Sequence, residues 1–278
     1  MSATVNGLWI QGTLSSMELL TIESFIANGF IFKLWTYDPE NINAPENAIV
    51  LHAGEIIPSE QVFSYHNKNI HGHGKGSYAG FSDIFRYKLL YEHGGIWTDM
   101  DITCLKPFEI KEDYFFRYHE RAGAVGNFMK CPPKSPVMKW CYEQAAEKVT
   151  ENNKDWMLPI KLLNDGIEKN QLKSHIHVIS NNDNFPEVAH LLSVSDKLPE
   201  DWLIIHWMNE EWRRFNLNKN AALENSTYCE LLKHYNIPYS LTGFFEKWKY
   251  RMKISRAYYF LMCYFYIYKF KLSGKKEA

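Results

Sequence analysis

Between Ser82 and Leu105 an amphipathic helix, a Gly-Gly pair and a β-type run follow one another without a linker. Ile84, Phe85, Leu89 and Leu90 form one apolar stripe at helical spacing. Ser82 is placed to cap that helix with Asp83 in its first turn, and Gly94-Gly95 stops it. Ile96–Leu105 then reads as a strand and strand end. A helix that passes straight into a strand must lay its stripe on the sheet that strand joins, which restricts the chain to layered α/β architectures. The opening residues repeat the pattern. Val5–Gln11 reads as a strand, and Ser15 or Ser16 starts a helix carrying Leu19, Leu20, Ile22 and Phe25, which Asn28-Gly29 closes. Ile31–Tyr37 alternates as a strand up to Asp38-Pro39, and Ala48–His52 is another. Later helices are expected near 136–149 and 157–169, and strands at 175–179 and 202–206.

Composition narrows the function classes. The 278 residues are 46% hydrophobic and 23% charged, which excludes a disordered or fibrous chain. Lys+Arg 31 against Asp+Glu 32 argues against general nucleic-acid binding. Aromatic residues reach 15%, which suits ring stacking or a membrane surface. The first residues lack the basic and long apolar segments of a signal peptide, and no run reaches the roughly 18 apolar residues of a spanning helix. The five cysteines include no Cys-x-x-Cys pair. Reduced thiols and a cytoplasmic location are therefore expected, leaving the sequon at Asn225 without a role.

Asp99 and Asp101 stand two apart in the extended run, so both carboxylates are expected on one side. Two such groups are the oxygen ligands a hard divalent ion prefers, and an ion held there bridges and stabilises a diphosphate. The surroundings sharpen this. Ser82-Asp83-Ile84-Phe85-Arg86 precedes Leu89-Leu90-Tyr91-Glu92-His93-Gly94-Gly95-Ile96-Trp97-Thr98-Asp99-Met100-Asp101. The pattern S-D-x-x-R, L-x-x-x-G-G, an aromatic and D-x-D resembles the sugar-binding DXD region of retaining glycosyltransferases of the GT-A fold. That group includes the outer-chain mannosyltransferases, α1,4-galactosyltransferases and capsular-polysaccharide enzymes, with the clostridial glucosylating toxins as distant kin.

The resemblance implies an α/β GT-A fold, a Rossmann-like mixed sheet flanked by helices with a helical C-terminal extension. It also implies Mn²⁺ or Mg²⁺ on Asp99 and Asp101 with His206 as a third ligand, a UDP- or GDP-sugar as donor, and Asp83 and Arg86 fixing the donor sugar with Ser82 and Asp99 in the same donor site. Leu8-Trp9-Ile10-Gln11-Gly12 is similar to the family's first strand, whose Trp stacks on the base; Gln11 replaces a glycine of that pattern. Tyr37 falls where the nucleotide pocket continues. Asn127, in Gly126-Asn127-Phe128-Met129, matches the Asn that approaches the sugar. His206, in Ile205-His206-Trp207, matches a His near the metal and diphosphate, and Asn209 and Trp212 are expected to face donor or acceptor. In the family's front-face chemistry the leaving phosphate helps take the acceptor proton, so Asp83, Arg86 and Asp101 are the expected catalytic set and no separate base is named.

Two domains are expected: residues 1–225 as the transferase and 226–278 as a helical extension. From Phe244 onward nine Lys/Arg face only Glu246 and Glu277, and residues 257–268 are twelve uncharged residues rich in Tyr and Phe. That is too short to span a bilayer and suited to an anionic membrane interface. The expected site of action is the cytoplasmic face of a membrane, on a glycan or lipid-linked glycan of a bacterial capsule or lipopolysaccharide. Two rivals stand beside this reading. Asp99-Met-Asp-Ile-Thr also fits a haloacid-dehalogenase phosphatase with Asp99 as nucleophile and Asp196 and Asp201 as its acidic pair; a non-catalytic membrane adaptor would use only the tail. In Gly72-His73-Gly74-Lys75-Gly76-Ser77, Gly76 separates Lys from Ser, which excludes a P-loop. The loop is expected to be flexible and to close over the donor, with His71 and His73 solvated.

Overall fold

The computed structural model describes residues 2–180 and 182–274. In chain order the elements are β1 (Thr4–Trp9), α1 (Ser16–Ala27), β2 (Ile31–Thr36), β3 (Ile49–His52), α2 (Ala79–His93), β4 (Gly95–Thr98), β5 (Ile102–Cys104), β6 (Phe115–His119), β7 (Gly123–Cys131), α3 (Pro136–Lys148), α4 (Leu158–Lys169), β8 (Ile176–His177), α5 (Phe185–Leu191), β9 (Ile204–His206), α6 (Asn209–Phe215), β10 (Ala221–Ala222), α7 (Thr227–His234), β11 (Ser240–Leu241), α8 (Phe244–Ile254) and α9 (Arg256–Gly274).

Seven strands form one mixed sheet in the order β3-β2-β1-β4-β7-β6-β8. β3, β2, β1 and β4 run parallel, and β7 runs antiparallel to both its neighbours. Successive strand residues point to opposite faces. Trp35, Trp97, Phe116 and Met129 pack with α2, α3 and α4, whereas Leu34, Ile96, Phe115 and Phe128 pack with Ile22 and Phe25 of α1. A third apolar cluster joins Met17 and Leu20 of α1 to α5, α6, α7 and the start of the tail. The chain builds β1, β2 and β3 outward, then returns to place β4 on the other side of β1. The crevice beyond the carboxyl ends of β1 and β4 is thus the topological switch point, where open α/β sheets bind ligands. Trp9 ends β1, and Thr98 ends β4 immediately before Asp99.

Local chemistry explains the boundaries. Ser15 is the cap of α1, and its backbone N–H donates to the Glu18 carboxylate at 2.8 Å. β1 stops two residues before the expected Gln11, because the Trp9 indole donates to the Gly12 carbonyl at 2.8 Å and closes a turn there. α2 starts at Ala79 with Tyr78 as cap, so Ser82 and Asp83 lie inside the helix and Ser82 does not cap it. Between α2 and β4, Gly94 has φ 66° and Gly95 φ 90°, and a Cβ on Gly94 would lie 2.5 Å from the Pro133 nitrogen. The glycine pair therefore permits both the reversal and the approach of the segment after β7. The β6–β7 hairpin was not anticipated from the sequence. It carries Phe115, Phe116, Phe128 and Met129 on both faces, which hides the alternation of a half-buried strand.

Candidate active site

Asp99 and Asp101 lie in the turn between β4 and β5, not on one strand as expected. The turn is held at both ends: Asp99 N–H donates to the Asn127 carbonyl on β7 at 2.8 Å, and the Asp101 carbonyl accepts from Trp207 N–H at 2.8 Å. The two carboxylates consequently have different partners. Asp99 Oδ1 accepts from the Trp97 indole at 2.8 Å and from Arg86 Nη2 at 3.0 Å. Asp101 Oδ2 accepts from the Asn209 backbone N–H at 2.7 Å and lies 3.4 Å from His206 Nε2. Burial and the neighbouring Asp101 charge raise the Asp99 carboxyl above its usual range. Burial acts on Asp101 in the same sense, but His206 and the Asn209 N–H outweigh it and hold Asp101 low.

Arg86 is the hub of the first half of the site. Its side chain is 6% exposed, its Nη2 is 3.4 Å from Asp83 Oδ1, and its guanidinium lies 5.2 Å from the Trp97 ring centroid. Burial alone would lower its pKa, but Asp99 and Asp83 together raise it. Gly126 makes room for this: a Cβ there would fall 2.8 Å from Arg86 Nη1. Ser82 serves Arg86 rather than the helix end, its hydroxyl accepting from Nη2 at 3.4 Å. Asp83 is pushed up to about 6, first by burial and then by Asp99, against the pull of Arg86.

The second half surrounds His206 at the end of β9. Several buried polar atoms have no protein partner among the described residues: His206 Nδ1, Asn182 Oδ1, Asn209 Oδ1 and Arg117 Nε and Nη1 in this half, and Oδ1 of Asn127, whose carbonyl holds Asp99 in the other. Folded proteins pair the great majority of such groups, so a concentration of exceptions marks a place where water or a ligand supplies the missing bonds. Asn182 Nδ2 donates to the His206 carbonyl at 2.7 Å. Arg117, fully buried on β6, pairs with Asp183 Oδ1 at 2.6 Å.

Of the sequence-predicted residues, the structure brings Asp83, Arg86, Asp99, Asp101, Asn127 and His206 into these two linked halves. Ser82 joins them through Arg86. Trp9 is half-buried at the end of β1 with Lys219 Nζ 5.2 Å from its ring centroid; Gln11 and Gly12 are exposed in the adjoining turn. Tyr37 packs on Phe81, and its hydroxyl donates to the Ile57 carbonyl at 2.8 Å. Trp212 is 1% exposed, and its indole donates to the Trp207 carbonyl. Nor is His73 solvated, since its Nε2 lies 2.9 Å from Glu211 Oε1. The glycine-rich loop is pinned to α6, with Gly74 N–H donating to Glu210 at 2.9 Å and Arg213 donating to the Lys75 carbonyl at 3.2 Å. Asp196 sits at the surface against His190, at 3.2 Å, as a turn residue rather than half of a metal-binding pair.

Sequence reasoning missed Arg117, Asn182, Asp183 and Lys219, whose partners lie far away in the chain. Trp97 was visible only as the aromatic of the motif; its indole and ring turn out to orient Asp99 and Arg86. No group of three or more His, Cys, Asp or Glu among the described residues forms a ready metal cage. The donor set nonetheless fits a hard divalent ion: two adjacent carboxylates, one beside an imidazole, leave positions for water and phosphate oxygens.

Comparison with known proteins agrees with this chemistry. Residues 49–116 match the model of the glycosyltransferase sugar-binding region containing DXD motif. That segment runs from β3 through α2 and the Asp99–Asp101 turn into β6. No curated protein matches the chain. Among solved structures, the PaToxG glycosyltransferase is 11% identical with a TM-score of 0.45, over 61% of this chain and 68% of that one. The apo-form glycosyltransferase GlyE of Streptococcus pneumoniae TIGR4 is 12% identical with a TM-score of 0.38, over 86% of this chain and 65% of that one. The matched region, with its two aspartates seated beyond the end of β4, makes residues 49–116 of this α/β chain similar to the DXD-containing sugar-binding region of glycosyltransferases and supports glycosyltransferase chemistry.

Proposed function

We propose that the protein transfers a hexose from a nucleotide sugar, with UDP-hexose as the leading donor, to a hydroxyl of a glycan acceptor, with retention at the anomeric carbon. The observation that carries this reading is the convergence at the sheet's switch point of Asp83, Arg86, Asp99 and Asp101, which lie inside the matched DXD region, with His206 from β9 beside Asp101. Asp99 and Asp101 would hold a divalent ion, Mn²⁺ or Mg²⁺, with His206 beside them. When bound, such an ion supplies positive charge against the diphosphate that departs.

The protein's own groups do the rest. Asp83 accepts from sugar hydroxyls once it is ionised, and Arg86 keeps Asp83 and Asp99 in register from beneath while its charge adds to the field at the donor. Trp97 fixes the orientation of both. Asn127, whose Oδ1 has no partner among the described residues, would accept from a sugar hydroxyl, and Trp9 would offer a ring face to the base with Gln11, Gly12 and Tyr37 around it. Preorganised groups of this kind lower the barrier because they need not reorient as charge develops.

The acceptor is proposed to be a lipid-linked glycan of bacterial capsule or lipopolysaccharide synthesis, reached at the cytoplasmic face of a membrane. Support comes from the tail. Tyr250 and Ile254 of α8 and Tyr259 of α9 pack on the body, while Trp248, Phe260, Leu261, Tyr264 and Tyr268 stay exposed, in a segment rich in Lys and Arg. No described helix is long and apolar enough to cross a membrane, so contact would be peripheral.

Incubating the wild-type chain with a panel of UDP- and GDP-sugars, with Mn²⁺ and with chelator, tests the reading. Metal-dependent nucleotide release from one donor is expected. Silence across the panel, with phosphate released from simple phosphomonoesters instead, would favour the phosphatase chemistry.

A further inference from the structure

Lys219 lies in the turn between α6 and β10, outside the matched region and outside every motif read from the sequence. Its backbone is fixed: the carbonyl accepts from the buried Tyr228 hydroxyl at 2.7 Å, and the Asn220 side chain next to it accepts from Ser16 N–H at 2.8 Å. Its ammonium pairs with the carboxylate of Glu18, which is 1% exposed, and lies 5.2 Å from the Trp9 ring centroid. Lys219 also lines an open cleft of about 320 Å³ together with Asn209, Arg213 and Asn216, and Asn209 is the residue whose N–H holds Asp101. This one cation therefore stands between the strand end that carries Trp9 and the turn that carries Asp101.

This placement has a chemical consequence that rests on the donor reading above. If the base lies at Trp9 and the sugar at Asp83–Asp101, the diphosphate joining them must cross the space Lys219 faces. We infer that Lys219 is a donor-binding residue whose ammonium receives the diphosphate of the nucleotide sugar and stabilises the nucleoside diphosphate as it leaves. A compact ammonium on a flexible stem suits phosphate oxygens, and ionic hydrogen bonds of this kind are among the stronger ones available. Glu18 does not require the lysine for all its bonding, because it already accepts from the Ser15 N–H and hydroxyl. Glu18 keeps the ammonium at the cleft when no donor is bound.

Calorimetric titration of the full chain in Mn²⁺ with UDP, GDP, uridine and guanosine tests the inference. Lys219→Met should weaken the bound nucleoside diphosphate roughly 10- to 100-fold while leaving the matching nucleoside unchanged, and Lys219→Arg should recover most of the loss. Because Lys219→Met leaves Glu18 uncompensated, the double variant Glu18→Gln/Lys219→Met is measured beside it and should show the same selective loss with wild-type thermal stability. Unchanged diphosphate affinity, or an equal loss for nucleoside and diphosphate, would reduce Lys219 to a structural partner of Glu18 and overturn the inference. A wild-type chain that binds neither UDP nor GDP would instead overturn the donor reading, and the inference with it.

Discussion

Asp99 and Asp101 carry the same side chain two residues apart, and their surroundings drive them in opposite directions. The difference is one of balance: at Asp101 the His206 imidazole and the Asn209 N–H outweigh desolvation, whereas at half-buried Asp99 desolvation and the Asp101 charge outweigh the Arg86 guanidinium and the Trp97 indole. Asp83 shows the same physics in measurable form. Its carboxyl is raised to about 6 by burial and by Asp99, so the folded chain holds this proton more tightly than the unfolded one. Its contribution to stability is present below the ordinary value near 3.8 and is lost as pH rises through about 6. Carboxyl-resolved NMR of the metal-free protein should find one aspartate titrating near pH 6, absent in Asp83→Asn; titration at its ordinary value would contradict the burial argument. Donor turnover should fall below that pH for the same reason. At this scale the motif was legible because Asp83, Arg86, Asp99 and Asp101 lie close in sequence. Arg117, Asn182 and Lys219 were not, since what makes each notable is a partner some twenty to two hundred residues away.

The α2–Gly-Gly–β4 unit followed from the sequence because both its stop signal and its apolar stripe are local. The helix start did not: Ser82 and Asp83 look like capping residues, yet they are used one turn further in, to hold Arg86. The expected mobile loop at 66–80 is pinned because α6 supplies Glu210 and Glu211 from more than 130 residues away. Replacing Glu211 by Gln removes its charge opposite His73 and Arg214, and hydrogen exchange across residues 66–77 should accelerate while β1 and β4 stay protected. Another long-range tie joins β6 to the segment before α5. Arg117 and Asp183 are both within the protein, so Arg117→Met leaves an uncompensated carboxylate and should cost roughly 3–5 kcal/mol in a denaturant melt. A loss under about 1 kcal/mol would show that Asp183 finds solvent.

At the level of the whole molecule, the mixed sheet flanked by helices was readable from alternating elements, and the tail from its composition. Composition left open whether the tail would pack on the body or stay exposed, and the structure has it do both: Tyr250 and Ile254 join the cluster that includes Trp207 and Tyr228, while Phe260, Leu261 and Tyr264 point away from it. Deleting residues 244–278 should therefore lower thermal stability as well as any membrane binding. The cleaner variant is the triple substitution Phe260→Ser, Leu261→Ser, Tyr264→Ser. Sedimentation with anionic vesicles should show binding reduced at least about tenfold, as expected for three large apolar side chains, with the melting temperature unchanged; equal binding would refute the membrane reading. The role of the DXD turn is open to one decisive comparison. Nucleotide release from the donor that wild type selects is measured in Mn²⁺ for wild type and Asp101→Asn, alongside their melting curves. Asp101→Asn should lose at least about a hundredfold, the scale expected when a preorganised charge at a reacting centre is removed, with the fold retained. Wild-type turnover in Asp101→Asn would contradict it.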